Sequence, residues 1–171
     1  MKKSAIFFFS LISGSLFAQS YYYNSDGEKV EANIKEYGLY NFKVDDGTKK
    51  GVTFKMDAVS NFVMEGDSVT LLTDVNIPMG PKKFYVKVVV AGKISFYTNS
   101  YLRQDMDVHY IYLLRKGNEY ESIDSFNKKW KDFFKDNSSI YNKVNALKAK
   151  DYYYDNTALL ELIREYNEEE K

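Results

Sequence analysis

FYVKVVVAGKISFY, residues 84–97, carries the strongest β signal in the chain and decides how the rest is read. In its first arm Phe84, Val86, Val88 and Val90 fall on one face and Tyr85, Lys87, Val89 and Ala91 on the other, so that only Lys87 interrupts two apolar faces. A central strand covered on both sides reads this way, because successive side chains point to opposite faces. Gly92-Lys93 fits a two-residue type II′ turn with glycine first, which pairs Ala91 with Ile94 and Val89 with Phe96. Placing a type I′ turn at Ala91-Gly92 instead forces a residue with a Cβ to positive φ and shifts each of those pairs by one. The first register is preferred, and either one makes a hairpin that anchors a core.

Upstream, Val30, Ala32 and Ile34 alternate with Glu31, Asn33 and Lys35, and Tyr40, Phe42 and Val44 alternate with Asn41 and Lys43. Asp46-Gly47 then turns the chain toward Val52, Phe54 and Met56, which predicts an antiparallel meander of three strands. Asn61 to Met64 and Val69 to Leu72 flank Glu65-Gly66-Asp67 as one more hairpin. Pro78 and Pro81 fall in a loop before the central hairpin, since proline removes a ladder donor and fixes φ. Downstream, residues 99–107 read as a polar loop and 108–114 as a strand, with Lys116-Gly117-Asn118 turning back into a strand over 120–123.

At Asp124 the apolar period changes from two to about 3.6. Phe126, Trp130, Phe133 and Phe134 predict a first helix with Asp124 as its N-cap. Ser138 or Ser139 opens a second, carrying Ile140, Val144 and Leu147; Asn137-Ser138-Ser139, which has the form of a glycosylation acceptor, is read as part of that cap. Asn156 or Thr157 opens a third with Leu159, Leu160, Ile163 and Tyr166 on its apolar stripe. Strands followed by helices give an α+β expectation: a curved antiparallel β-sheet or partial barrel with C-terminal helices packed on one face.

Residues 1–18 have the parts of a secretory signal peptide: Lys2 and Lys3, an apolar run from Ala5 to Phe17, and Ala18 before Gln19. The run is 13 residues long, short of the ~20 that a spanning helix needs. Residues 19–171 then form one α+β domain, β-rich over 19–123 and helical over 124–171. Removing Lys2 and Lys3 with the leader leaves 22 basic against 24 acidic side chains, a net charge of −2 with no basic block. Nucleic-acid binding lacks its electrostatic footprint. The chain has no cysteine, so no disulfide and no lipid-anchoring cysteine is available. The expected location is the periplasm or outside the cell, with no membrane span after cleavage.

His109 is the only histidine, and no GxSxG-like elbow is present, which argues against nucleophilic hydrolysis. Asp105, Asp107 and His109, spaced by two, share one face of an extended segment and form a candidate divalent-metal site. The plainer reading makes the two aspartates solvated loop residues and His109 a strand residue. No pair of carboxylates stands in apolar surroundings of the kind that separates an acid from a base. No catalytic residue and no cofactor is therefore assigned. Sixteen tyrosines and twelve phenylalanines are mostly core material. Two triplets differ: Tyr21, Tyr22 and Tyr23, and Tyr152, Tyr153 and Tyr154, cannot all face inward on either period, so at least one of each is exposed and is a candidate ligand-binding residue.

The signal ending FAQ, the segments DGEKVEANI, VTFKMDAVSNFVM, FYVKVVVAGKISFY and YIYLLRKGNEY, and the closing ALLELIREYNE together resemble a group of small exported, mostly uncharacterised proteins of Bacteroidetes-type bacteria. Some longer relatives in that group continue into an outer-membrane β-barrel. The resemblance implies export and a β-rich module ahead of helices, and lends no site residues. The function expected is a noncatalytic binding or envelope-associated module whose partner is an envelope protein or a glycan. The alternative is a carbohydrate-active or metal-dependent hydrolase whose carboxylates converge only in three dimensions.

Overall fold

The computed structural model describes residues 20–24, 26–76, 82–102, 108–124, 126 and 128–169, with backbone only at 101 and 102. The signal-peptide segment, the two prolines, Asp105 and Asp107 lie outside the described residues. Eleven strands are described: β1 (Tyr21–Tyr23), β2 (Lys29–Glu31), β3 (Asn33–Tyr37), β4 (Asn41–Asp45), β5 (Val52–Lys55), β6 (Asn61–Met64), β7 (Asp67–Leu72), β8 (Phe84–Val90), β9 (Ile94–Leu102), β10 (Val108–Lys116) and β11 (Glu119–Ser122). A 3-10 helix at Lys129–Phe134, α1 (Ser138–Ala146), a short 3-10 turn at Ala149–Asp151 and α2 (Thr157–Glu169) follow. Eight strands form one antiparallel sheet in the order β11-β10-β9-β8-β7-β6-β1-β2, and β3-β4-β5 form a second. The large sheet is curved and not closed, and the fold is α+β as the alternation of the strands and the later helical period imply.

The hairpin of β8 and β9 is where three apolar clusters meet. Ile94, Phe96 and Val90 pack with Trp130, Ile140, Val144, Leu159 and Ile163 from the helices. Tyr85 packs with Phe42 and Phe62 beneath the small sheet. Phe84 and Val86 pack on the opposite face with Leu72, Tyr97 and Leu113. Phe84, Tyr85 and Val86 are fully buried, while Val88 and Val89 are half-buried. Tyr85 is fixed from two sides: its hydroxyl donates to Val59 O at 2.6 Å, and its N–H donates to Leu39 O at 2.9 Å. The buried Asn99 carboxamide donates to Tyr85 O. The Gly38 to Tyr40 turn thereby docks on β8 beside β9, so the small sheet is hydrogen-bonded to the large one as well as packed on it.

Four expectations change. The hairpin register is neither of the two-residue alternatives, because Val88 faces Tyr97 but Val90 faces Phe96, leaving Val89 as a bulge. The expected pairs Ala91 with Ile94 and Val89 with Phe96 do not form. The cause lies in α2: the Asn167 carboxamide accepts from Ile94 N at 2.9 Å and donates to Ile94 O at 2.8 Å, taking the place of a strand partner. A Cβ on Gly92 would press into that carboxamide, so close approach, not positive φ, is what requires glycine there. Second, the strand expected over Val30 to Ile34 divides at Ala32, with β2 joining the large sheet and β3 the small one. Third, residues 99–102 continue β9 instead of looping out.

The fourth change concerns the first helix, which is a 3-10 segment beginning at Lys129 and not an α-helix from Asp124. Asp124 Oδ1 accepts from Phe126 N at 2.7 Å, a local turn that competes with helix formation, and Phe126 is 96% exposed. Trp130, Phe133 and Phe134 are buried as expected. Ser138 opens α1 as expected, and within the Asn137-Ser138-Ser139 cap it is the Asn137 side chain that accepts from Ile140 N at 3.1 Å. At the other end of α1 the buried Lys131 ammonium donates to Val144 O at 2.9 Å and to Asn145 O and Leu147 O at 3.3 Å. It adds a donor to the carbonyls at the helix C-terminus, where Val144 O also accepts from Leu147 N at 3.2 Å, although burial lowers its pKa.

Asp136 joins three elements. Its carboxylate lies 2.7 Å from Lys116 Nζ on β10 and 3.5 Å from Lys93 Nζ in the hairpin turn, and accepts from Tyr166 Oη on α2 at 2.8 Å. Desolvation raises its pKa, but the hydrogen bonds from Lys116 and Tyr166 outweigh it and hold the carboxyl at about 2. Because the folded pKa is depressed, the stabilisation is complete above the unfolded value of about 3.9 and is lost as pH falls toward about 2. Asp136→Asn is therefore expected to flatten the fall in melting temperature across that window. Parallel acid profiles for wild type and variant would show that the network contributes nothing.

Candidate functional site

Two surface concavities contain residues from the tyrosine triplets. The first, of about 380 Å³, lies over the face of β1, β6, β7, β8 and β9, lined by Tyr21, Tyr23, Asn61, Thr70, Val88 and Tyr97 among others. Several of its side chains already contact one another. Thr70 Oγ1 donates to Asn61 Oδ1 at 2.7 Å, the Tyr21 ring meets Tyr23 edge-on at 5.7 Å, and Lys29 Nζ sits 4.2 Å from the Tyr21 centroid. Tyr22 points to the other side of β1, against Phe42 at 5.8 Å and Phe54 at 5.3 Å, and belongs to the core.

The second concavity is the stronger candidate. It measures about 680 Å³ and is lined by Val108, His109, Tyr110, Tyr112, Tyr153 and Tyr154. Tyr110, Tyr112 and Leu114 alternate along β10, so they share the face that the helices cover. The helical cover holds Leu114 fully buried but leaves Tyr110 60% exposed. Phe96, Tyr112 and Tyr110 form a column of stacked rings, with centroids 6.0 and 6.1 Å apart. Tyr153 meets Tyr112 edge-on at 6.4 Å, and Tyr154 meets Tyr153 edge-on at 5.3 Å. The cleft is thus a stacked floor with an aromatic wall.

The wall is held by its own triplet. Tyr152 is buried edge-on against Trp130 at 5.0 Å, and Tyr153 N donates to Ala149 O at 2.9 Å, which fixes the turn leading to α2. Tyr154 is left 80% exposed. In each triplet, then, one tyrosine serves the core and the others line a surface concavity. Burial, with the neighbouring Tyr110 and Tyr153 phenols, pushes the Tyr112 hydroxyl above its ordinary pKa.

Of the metal candidates, His109 lies at the cleft, and Asp105 and Asp107 lie outside the described residues. Among the described residues no three His, Asp or Glu side chains gather as a metal site. Tyr110 and Tyr112 were missed as site residues because their strand alternation is indistinguishable from core alternation until the extent of the helical cover is known. No helix among the described residues is long and apolar enough to cross a membrane. No family model, no curated protein and no solved structure matches the chain.

Proposed function

We propose that the protein is a noncatalytic binding module, exported to the periplasm or beyond and associated there with an envelope component. The observation that carries this reading is the aromatic cleft, in which exposed rings are held in fixed geometry by stacking and by a buried anchor. Rigid tyrosines provide large contact area at small entropic cost, as recognition surfaces require. Export rests on the leader-like residues 1–18 and on the resemblance noted above.

The test is a binding screen of oligosaccharides and extended peptides against wild type and the Tyr110→Ala/Tyr154→Ala double variant. At least one class should bind the wild type, and the double variant should bind it at least tenfold more weakly. Because both side chains are largely exposed, the melting temperature should change little. Unchanged binding of every ligand by the double variant would remove the cleft from the function.

A further inference from the structure

Beside the cleft, one side of β10 has no strand partner among the described residues at Val108 to Ile111. β9 pairs with β10 along its whole length, from Val108↔Leu102 to Lys116↔Ile94. On the other side β11 reaches only Leu113 to Lys116, and the last contact is Ile123 N donating to Tyr112 O at 2.9 Å. That bond shows that the Tyr112 carbonyl points away from β9. Since strand backbone groups alternate in direction, the N–H and C=O of Tyr110 and Val108 point the same way. Among the described residues no strand continues past Ile123 to meet them.

The composition of this edge sets it apart. The other edge strands carry charges that oppose pairing: Lys29 and Glu31 on β2, Lys35 and Glu36 on β3, Lys55 on β5, Glu119 and Glu121 on β11. Residues 108–112, Val-His-Tyr-Ile-Tyr, contain no Lys, Arg, Asp or Glu, and Val108 and Tyr110 are 53% and 60% exposed. An exposed edge free of Lys, Arg, Asp and Glu, whose outward donors and acceptors meet no strand among the described residues, is a template for another strand.

We infer that an extended, uncharged polypeptide segment of another protein adds to β10 at Val108–Tyr110, antiparallel to it and in line with β11. The inference rests on the binding-module reading and names its ligand. Backbone groups of the segment pair with the outward N–H and C=O of Val108 and Tyr110. Every second side chain of the segment lies over Tyr110 and Tyr112 against the wall of Tyr153 and Tyr154. A peptide suits this surface better than a glycan: the edge offers donors and acceptors at strand spacing. The described lining side chains include no carboxylate, carboxamide or guanidinium to grip vicinal hydroxyls.

The experiment uses the ¹⁵N-labelled protein and three probes: a capped seven-residue peptide of alternating threonine and valine, its N-methylated counterpart, and cellohexaose. The plain peptide is expected to slow amide exchange at Val108 and Tyr110 at least tenfold. The N-methylated peptide should have no such effect, and Val108→Lys, which places a charge on the edge, should abolish the protection. Binding of cellohexaose at the cleft without peptide binding would overturn the peptide inference and leave the binding-module reading standing. Amides already protected in the free protein would overturn it as well: independence of concentration would mean the chain covers its own edge, and loss on dilution would mean a second copy does. Absence of binding by all three probes, together with an unaltered response in the Tyr110→Ala/Tyr154→Ala screen, would overturn both readings.

Discussion

Val86→Asp is expected to abolish folding. Val86 is fully buried, packed with Leu72, Val75, Phe84, Tyr97 and Leu113 on the face of the hairpin away from the helices. No cationic group belongs to that cluster, so the carboxylate would be buried without a partner or forced to take up a proton, at a cost of several kcal/mol. A domain of this size has a total stability of about 5–15 kcal/mol. The hairpin contributes to all three clusters, so local failure cannot be confined. Near-ultraviolet circular dichroism and amide dispersion should show loss of fixed packing. A cooperative thermal transition close to that of wild type would show that this face of β8 is not covered. Val88 and Val89, although central in the sequence pattern, are half-buried and should tolerate the same change better than Val86.

Phe42→Ala is expected to cost about 3–5 kcal/mol, the range for removing a buried ring from a packed core. Phe42 is fully buried, with ring centroids of Phe62 at 4.7 Å, Phe54 at 5.1 Å and Tyr85 at 6.2 Å. Phe54 comes from the small sheet and Phe62 and Tyr85 from the large one, so Phe42 is a central member of the aromatic cluster that joins the two sheets. Urea unfolding of the variant should show a lower midpoint, with the amides of β3 to β5 losing protection first. A loss below about 1 kcal/mol, the scale of a surface change, would mean that the small sheet is not held by this contact.

Much of the fold was legible because alternation is a local property. Tyr40, Phe42 and Val44 declare a half-buried strand whatever lies beyond them, and the change of period after residue 123 separates strands from helices. What was not legible depends on distant residues. The bulge at Val89 answers to Asn167, and the division of a strand at Ala32 depends on which sheet each half meets. The 3-10 segment follows from the Asp124 turn and from where Trp130 must enter the core. The site divides in the same way: a run of three tyrosines forces exposure, which marked both triplets without saying that Tyr23 and Tyr154 are the most exposed members. Tyr110 is exposed where, among the described residues, the helices stop short of it and β11 ends beside Tyr112.

The pairing of Asn167 with Ile94 spans 73 residues of sequence, and this separation bears on the order in which the molecule is made. During synthesis the β8–β9 hairpin leaves the ribosome well before α2 exists, so Ile94, Phe96 and Leu114 remain without their helical cover until α2 has been made. Contacts of such sequence separation slow folding, since the loop must close before any stabilisation is gained. That apolar sheet face is therefore without cover until α2 docks on it, which places the docking of α2 late in folding.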